Sequence, residues 1–237
     1  MSVELLGLKI DSFNFKEAIE RAMELVKTEK VSQVITINPE MFAQADTDAE
    51  FKKIVQNAEL IVPDGIGVKI ALKMKGYDIQ RIPGIDFAKR MLERCASENI
   101  KVAIIGAKED VLQKAVENLK SEINNLSIIY TKNGYFTDDE QIYKEINEVS
   151  PRLILVAMGS PRQEYFIYNA KSKLNPALMI GIGGSLDVWS GNVKRAPLFI
   201  QKLGLEWLYR TISQPERFKR IFPALPMFLI RVLKYKN

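Results

Sequence analysis

One omission limits the acid–base chemistry open to this sequence: the chain contains no histidine. Ser-His-Asp triads, Cys-His pairs and histidine-containing zinc sites are therefore excluded. Proton transfer must fall to carboxylates, lysine, tyrosine, water or the single cysteine, Cys95. Asp64 in IVPDGIG is the strongest candidate base, because Pro63 makes its approach rigid and Gly65 and Gly67 leave room for a substrate. The alternative is that Asp64 caps a helix beginning near Gly67.

Other segments carry residues suited to ligand binding. Thr36 and Asn38 are two positions apart at the end of an apolar run, so they face the same side of a strand. Gln163 follows a second run, and Gly183-Gly184 would let backbone approach a phosphate, or else form a tight turn. GIGGSLD differs from GxGxxG, and no GxxxxGK[ST] occurs, which argues against dinucleotide oxidoreductases and P-loop NTPases.

Two further patterns each allow a functional and an ordinary interpretation. DTD (46–48) matches the short DxD pattern with which many glycosyltransferases hold a metal-bound sugar nucleotide, but it lies in a helical pattern where a solvated face is expected. Arg210, Arg217 and Arg220 are spaced to share one helical face, and their forked donors suit phosphate or pyrophosphate. The alternative is a set of solvated or salt-bridged arginines.

The elements that must position these residues alternate along the chain. Apolar, β-branched runs predict strands, and the stretches between them have helical spacing. The predicted strands are 31–38, 59–65, 101–107, 126–131, 152–159 and 176–184. Helices are predicted from 39 to 58, 85 to 99, 108 to 123, 138 to 150 and, with Ser160 as N-cap and Pro161 at N1, from 160 to 174. The pattern predicts an α/β fold: a Rossmann-like, mostly parallel sheet with helices on both faces.

The C-terminal segment differs from this body. Residues 196–213 have a helical pattern with no strand after them, and three prolines then predict short helices. We therefore expect a catalytic domain over 1–195 and a helical appendage over 196–237. Residues 202–237 carry a net charge of +6 with several aromatic side chains, whereas 1–201 carry −1. A basic, aromatic segment indicates an anionic partner such as phospholipid or nucleic acid, or simply a packed tail with solvated charges.

Size and hydropathy place the protein among soluble globular proteins. A chain of 237 residues with 47% hydrophobic residues can bury a full core without disulfides, and its one cysteine suits a reducing compartment. The first residues do not have the form of a signal peptide, and no apolar run approaches the roughly 20 residues of a membrane span. We expect a cytoplasmic protein.

Taken together and in order, six motifs resemble the WecG/TagA/CpsF glycosyltransferase family. The resemblance extends from Leu5 to about Arg231 and is strongest to the TagA branch. The motifs are TINPEMF, VPDGIGV, RIPGIDF, MGSPRQE, GIGGSLDVWSGNVKRAP and GLEWLYRTISQPERFKR.

The resemblance implies a metal-independent, inverting transferase without cofactor, peripheral on the inner face of the cell membrane. It implies transfer of N-acetylmannosamine from UDP-ManNAc to undecaprenyl-diphosphate-linked GlcNAc, which forms the linkage unit of wall teichoic acid. Self-association into a homo-oligomer is compatible with it. The implied residues are Asp64 as base; Thr36, Asn38 and Gln163 in the sugar pocket; Arg81, Arg210, Arg217 and Arg220 on the diphosphate; and Tyr135, Asp187 and Gly184 at the nucleotide.

Two other functions compete with this one. Within the family, the donor sugar could be UDP-ManNAcA or UDP-glucose, feeding a different surface polysaccharide. Outside it, the protein could be a nucleotide-binding module with a basic arm for nucleic acid, but such a module leaves Asp64 and Gln163 without a role. We therefore expect no nucleic-acid partner.

Overall fold

The computed structural model describes residues 2–202, 204–213 and 218–235. Within these ranges, the strands are β1 (Ser2–Leu5), β2 (Leu8–Asp11), β3 (Ser32–Ile37), β4 (Leu60–Pro63), β5 (Val102–Gly106), β6 (Ile128–Lys132), β7 (Leu153–Ala157) and β8 (Leu178–Gly181). Six of them form one parallel sheet in the order β4-β3-β8-β7-β5-β6, and β1 and β2 form a separate antiparallel hairpin.

Helices cover both faces of the sheet. Alternate residues of β7 explain this. Leu155 belongs to a buried cluster that includes residues of the helices Phe15–Val26, Gly84–Ser97 and Glu109–Glu122, whereas Val156 belongs to another cluster that includes residues of Asp139–Val149 and Arg162–Ala170. The predicted α/β, Rossmann-like fold is thereby confirmed. The helices are α1 (Phe15–Val26), α2 (Pro39–Thr47), α3 (Ala49–Gln56), α4 (Ile66–Met74), α5 (Gly84–Ser97), α6 (Glu109–Glu122), α7 (Asp139–Val149), α8 (Arg162–Ala170), α9 (Ser185–Trp189), α10 (Leu198–Lys202), α11 (Glu206–Ser213) and α12 (Phe218–Lys234).

The predicted starts and lengths of two helices were wrong. The single helix over 39–58 is two helices, because Asp48 is extended and its Oδ1 accepts the Phe51 N–H as the N-cap of α3. The predicted Ser160 cap is also wrong: α8 begins at Arg162, after a turn in which Gly159 has φ +78°, and Pro161 occupies the N-cap position.

The C-terminal segment is helical, but it is divided differently from the prediction. The pattern over 196–213 is interrupted at Gly204, whose φ of +73° suits glycine. Pro223 and Pro226 do not cut the last segment, and Pro215 lies outside the described residues. Helix α12 runs through Pro223 and Pro226 because tertiary packing stabilises it: Phe228 lies 4.9 Å from Phe42 of α2, ring centroid to ring centroid. No helix in the described ranges is long and apolar enough to cross a bilayer. The proposed boundary at 195 remains a prediction.

Candidate active site

A cavity of about 340 Å³ opens where the carboxyl ends of four adjacent strands, β4, β3, β8 and β7, meet. Parallel strands present these ends at one edge of the sheet, so residues far apart in sequence converge there. Thr36 and Asn38 come from the end of β3, Asp64 from β4, Gln163 from the start of α8 after β7, and Gly184 from the turn after β8. The structure therefore brings these five predicted residues together.

The Asp64 carboxylate is held by two backbone N–H groups. Gly65 donates to Oδ1 at 2.6 Å, and Gly84, at the start of α5, donates to Oδ2 at 3.3 Å. The N-cap position of α4 is Gly65, at φ +78°, and no side chain caps that helix. The alternative role of Asp64 as a helix cap is therefore wrong, and the N–H groups of Gly65 and Gly84 orient its carboxylate.

The environment of Asp64 favours a base that can take up a proton. Burial raises the pKa of Asp64 above its ordinary value of 3.8, whereas the hydrogen bonds from Gly84 and Gly65 and the charge of Arg81 oppose that shift. The nearby carboxylate of Glu206 adds a smaller upward contribution to this pKa. A carboxylate destabilised by burial accepts a proton more readily than an exposed one.

Gly84 is a site residue that sequence reasoning overlooked. A Cβ at this position would lie 2.8 Å from Thr36 Oγ1, so only glycine lets α5 approach β3 closely enough for its N–H to reach Asp64. Gly84 is the glycine of the motif RIPGIDF, but in sequence a glycine at that position indicates only an ordinary turn before a helix.

Gln163 is fixed by hydrogen bonds at both ends of its amide. Its Oε1 accepts the Gly183 N–H at 3.0 Å, and its Nε2 donates to Glu164 Oε1 at 2.8 Å. Gly181 leaves room for the amide, because a Cβ there would lie 2.5 Å from Nε2. Gln163 and Glu164 are only 6% and 3% exposed, although both line the cavity.

The C-terminal segment forms one wall of the cavity. Glu206 and Trp207 of α11 line it, and the Arg81 guanidinium donates to the Gln201 carbonyl of α10 at 3.2 Å. Arg81 also lines the cavity, and its role on the diphosphate stays a prediction.

An ion-pair network connects this wall to the body. Arg195 bonds both oxygens of Asp86 at 2.6 and 2.7 Å and also contacts Glu206 at 3.3 Å. Arg195 belongs to the motif GIGGSLDVWSGNVKRAP, but nothing in the sequence pattern predicted a role for it.

The remaining predicted arginines all belong to the C-terminal segment. Arg210 and Arg220 belong to α11 and α12, but their side chains lie outside the described residues, as does the whole of Arg217. Their role on the diphosphate stays a prediction.

Two predicted nucleotide-binding residues do not line the cavity. Tyr135 follows β6 at the other end of the same sheet edge and is 70% exposed. Arg162 holds the backbone on both sides of it, donating to the carbonyls of Gly134 and Phe136 at 2.7 and 3.1 Å. Asp187 lies in α9, where its carbonyl accepts the Val193 N–H. The nucleotide role of Tyr135 and Asp187 stays a prediction.

The DTD aspartates have structural partners. Asp46 forms an ion pair with Arg231 of α12, and Asp48 caps α3 and accepts the Tyr165 hydroxyl at 2.8 Å. In the described part of the chain, no three His, Cys, Asp or Glu side chains are grouped so that they could hold a metal ion.

A parallel sheet covered on both faces, with a ligand-sized cavity and a carboxylate at its carboxyl edge, places this chain in the class of α/β proteins that bind ligands at the carboxyl ends of their strands. The chain belongs to the glycosyl transferase WecG/TagA/CpsF family, whose sequence model matches residues 3–237. The resemblance seen in the motifs is thus confirmed.

Three relatives share the name N-acetylglucosaminyldiphosphoundecaprenol N-acetyl-beta-D-mannosaminyltransferase. The chain is 38% identical to the one from Bacillus subtilis (strain 168) over 208 residues, which cover 87% of this chain and 81% of the relative. It is 34% identical to that of Bacillus spizizenii over 86% of this chain and 79% of the relative. It is 30% identical to that of Staphylococcus aureus (strain MW2) over 99% and 93%.

Proposed function

We propose that this chain transfers N-acetylmannosamine from UDP-ManNAc to undecaprenyl-diphosphate-linked GlcNAc and so builds the linkage unit of wall teichoic acid. The names of the three relatives support the transferred sugar and the acceptor. Because all three are mannosaminyltransferases, they do not favour the alternative donors, UDP-ManNAcA and UDP-glucose.

The observation that carries the proposal is the position of Asp64, whose carboxylate is held in the cavity by two N–H groups. Asp64 takes the proton from the acceptor hydroxyl while the oxygen of that hydroxyl attacks the anomeric carbon of the donor sugar. The bond from that carbon to the UDP oxygen breaks on the opposite face, and UDP leaves with the electron pair. One direct displacement inverts the anomeric centre and needs no second carboxylate as nucleophile.

Cationic side chains stabilise the departing diphosphate in this scheme, so no divalent ion is required. Arg81 lines the cavity. Arg210, Arg217 and Arg220 belong to the C-terminal segment, whose described residues form one wall of that cavity. Turnover should therefore persist in excess EDTA, and its abolition by EDTA would contradict this part of the proposal.

A second apolar face on α12 supports binding to an anionic membrane surface. Phe228 and Val232 are buried against the body, whereas Met227, Ile230 and Leu233 are 61%, 50% and 71% exposed. Basic residues of the same segment would be attracted to an anionic leaflet, by about 1 kcal/mol each. The protein should co-sediment with phosphatidylglycerol vesicles but not with phosphatidylcholine vesicles, and a Leu233→Glu variant should bind the former more weakly. Homo-oligomer formation is a separate prediction that sedimentation equilibrium tests.

The decisive experiment presents a panel of UDP-sugars with a lipid-diphosphate-linked GlcNAc acceptor and measures released UDP. We expect release with UDP-ManNAc that depends on the acceptor, and little with UDP-glucose or UDP-ManNAcA. Acceptor-dependent release with another donor alone would establish the alternative. Salt-sensitive binding to DNA or RNA without any affinity for UDP would instead indicate the binding module.

A further inference from the structure

The amide of Gln163 can adopt only one of its two orientations in this structure. The Gly183 backbone N–H is a donor, so the group 3.0 Å from it must be the amide oxygen, Oε1. The amide nitrogen then points toward Glu164 Oε1, 2.8 Å away. Reversing the amide would place two N–H donors against each other at Gly183.

This orientation determines what Gln163 offers to a ligand. Its oxygen and one of its two N–H groups are already used by the protein. Among the described residues, the second N–H makes no hydrogen bond, and Gln163 lines the cavity. The side chain can therefore donate to an oxygen in the cavity.

Glu164 completes the arrangement with an unusual carboxyl group. Its side chain is 3% exposed, and within the described ranges Oε2 has no hydrogen-bond partner. Because Oε1 accepts from Gln163, a proton on this carboxyl belongs on Oε2, and the neutral form avoids a buried charge. Consistently, burial raises the pKa of Glu164, and the Gln163 amide and the Ser160 hydroxyl oppose the shift.

We propose that Glu164 is a positioning residue: it anchors the Gln163 amide so that its free N–H donates to a hydroxyl or carbonyl oxygen of the sugar substrate. The inference rests on the proposed function and deepens it, because it assigns a donor role to Gln163 and a supporting role to its neighbour. Glu164 itself acts only through Gln163.

A double-mutant cycle tests this coupling. Glu164→Leu removes the anchoring oxygen and should lower kcat/KM about tenfold, the value of one hydrogen bond. In a Gln163→Ala background, which has already lost the donor, the same change should have no further effect. Glu164→Gln retains an acceptor oxygen and should recover most of the activity that Glu164→Leu loses. An equal loss in both backgrounds, or full activity of Glu164→Leu, would overturn the proposal.

Gln163→Glu tests the donor role separately, and it remains available if Glu164→Leu does not fold. It keeps the shape of the Gln163 side chain. It replaces the amide nitrogen with an oxygen, so kcat/KM should fall about tenfold or more; wild-type turnover would refute donation by Gln163. The measurements use whichever UDP-sugar the wild-type enzyme turns over. Failure of UDP-ManNAc as donor would therefore contradict the proposed function, but the double-mutant cycle could still be measured with another UDP-sugar.

Discussion

The backbone N–H of Gly84 donates a hydrogen bond to Asp64 Oδ2 over 3.3 Å, although twenty positions separate the two residues in sequence. This bond joins the residue after β4 to the start of α5, and both residues line the cavity. The hydrogen bond can form only because Gly84 has no Cβ, since the Thr36 side chain occupies the space that a Cβ would need. The geometry of the base therefore depends on a glycine in a different motif.

Gly84→Ala should impair catalysis by displacing α5 from Asp64. Its Cβ would overlap Thr36 Oγ1 at 2.8 Å, which forces the helix start outward and weakens the hydrogen bond to the carboxylate. We expect a loss of about 1–3 kcal/mol in the free energy of unfolding, typical of overpacking, and a larger proportional loss in kcat than in UDP affinity. Denaturant melts, kinetics and UDP titration measure these effects, and unchanged kcat would contradict the proposed contact.

Asp64→Asn should abolish most turnover and leave UDP binding intact, because the amide cannot accept the acceptor proton. General-base catalysis contributes roughly 10²–10⁴-fold, so kcat should fall by that factor. Asp110→Asn, at an exposed position of α6 that does not line the cavity, is the matched control. Near-normal turnover of Asp64→Asn would remove Asp64 from the role of base.

The same carboxylate predicts the pH profile of the reaction. Asp64 must be ionised to act as base, and burial moves its pKa above 3.8. Wild-type kcat/KM should therefore rise with pH through the raised pKa of Asp64, and the residual activity of Asp64→Asn should lack that step. Stopped assays over a pH series in constant ionic strength compare the two.

The alternating strands and helices could be predicted because each element carries its own periodicity, as in β7 and α6. The break between α2 and α3 could not be predicted in this way, because it depends on two competing conformations of one residue. Asp48 is extended and caps α3 instead of continuing α2 as a helical residue. Likewise, α12 passes through two prolines because Phe228 and Val232 are buried against the body, an interaction that proline-based rules cannot anticipate.

The candidate site was predictable where side chains follow strands directly, as for Thr36, Asn38 and Asp64. Residues that act through close backbone approach or through other residues were missed, namely Gly84 and Glu164. In a single sequence, a buried glutamate next to Gln163 looks like any acidic residue in the first turn of a helix, and only the folded contacts distinguish it.

Phe228→Ala should detach α12 from the body. Phe228 is 2% exposed and contacts Phe42, so its truncation should lower the free energy of unfolding by about 3–5 kcal/mol. Met227→Ala, one residue earlier and exposed, should change it by less than about 0.5 kcal/mol. Equal effects of the two variants in urea melts would show that the helix is not held through Phe228.

Removal of residues 196–237 should leave a folded sheet without transferase activity. The deletion removes Glu206, Trp207 and Leu225 from the cavity wall together with Arg210, Arg217 and Arg220. Circular dichroism should show the body's helices and strands, and the UDP-release assay should show no acceptor-dependent turnover. Full activity of the truncated chain would refute a role of this segment in completing the site.

Glu164→Gln should stabilise the protein increasingly as pH rises. The folded-state pKa of Glu164 is raised above 4.5, so its stabilising contribution is complete below pH 4.5 and is lost as pH rises through the folded pKa. Glutamine does not titrate, so the variant lacks this pH-dependent contribution. The difference in free energy of unfolding should therefore grow by about 1.4 kcal/mol for each pH unit between the unfolded-state and folded-state pKa of Glu164.

Urea melts of wild type and Glu164→Gln from pH 4 to pH 8 measure this difference, with exposed Glu117→Gln as the matched control. The control should stay close to the wild type, because it replaces a side chain that is exposed in the folded protein. A pH-independent difference for Glu164→Gln would mean that the carboxyl is not buried in the folded protein. A neutral Glu164 would then be wrong, whereas the hydrogen bond from Gln163 to Glu164 Oε1 would stand.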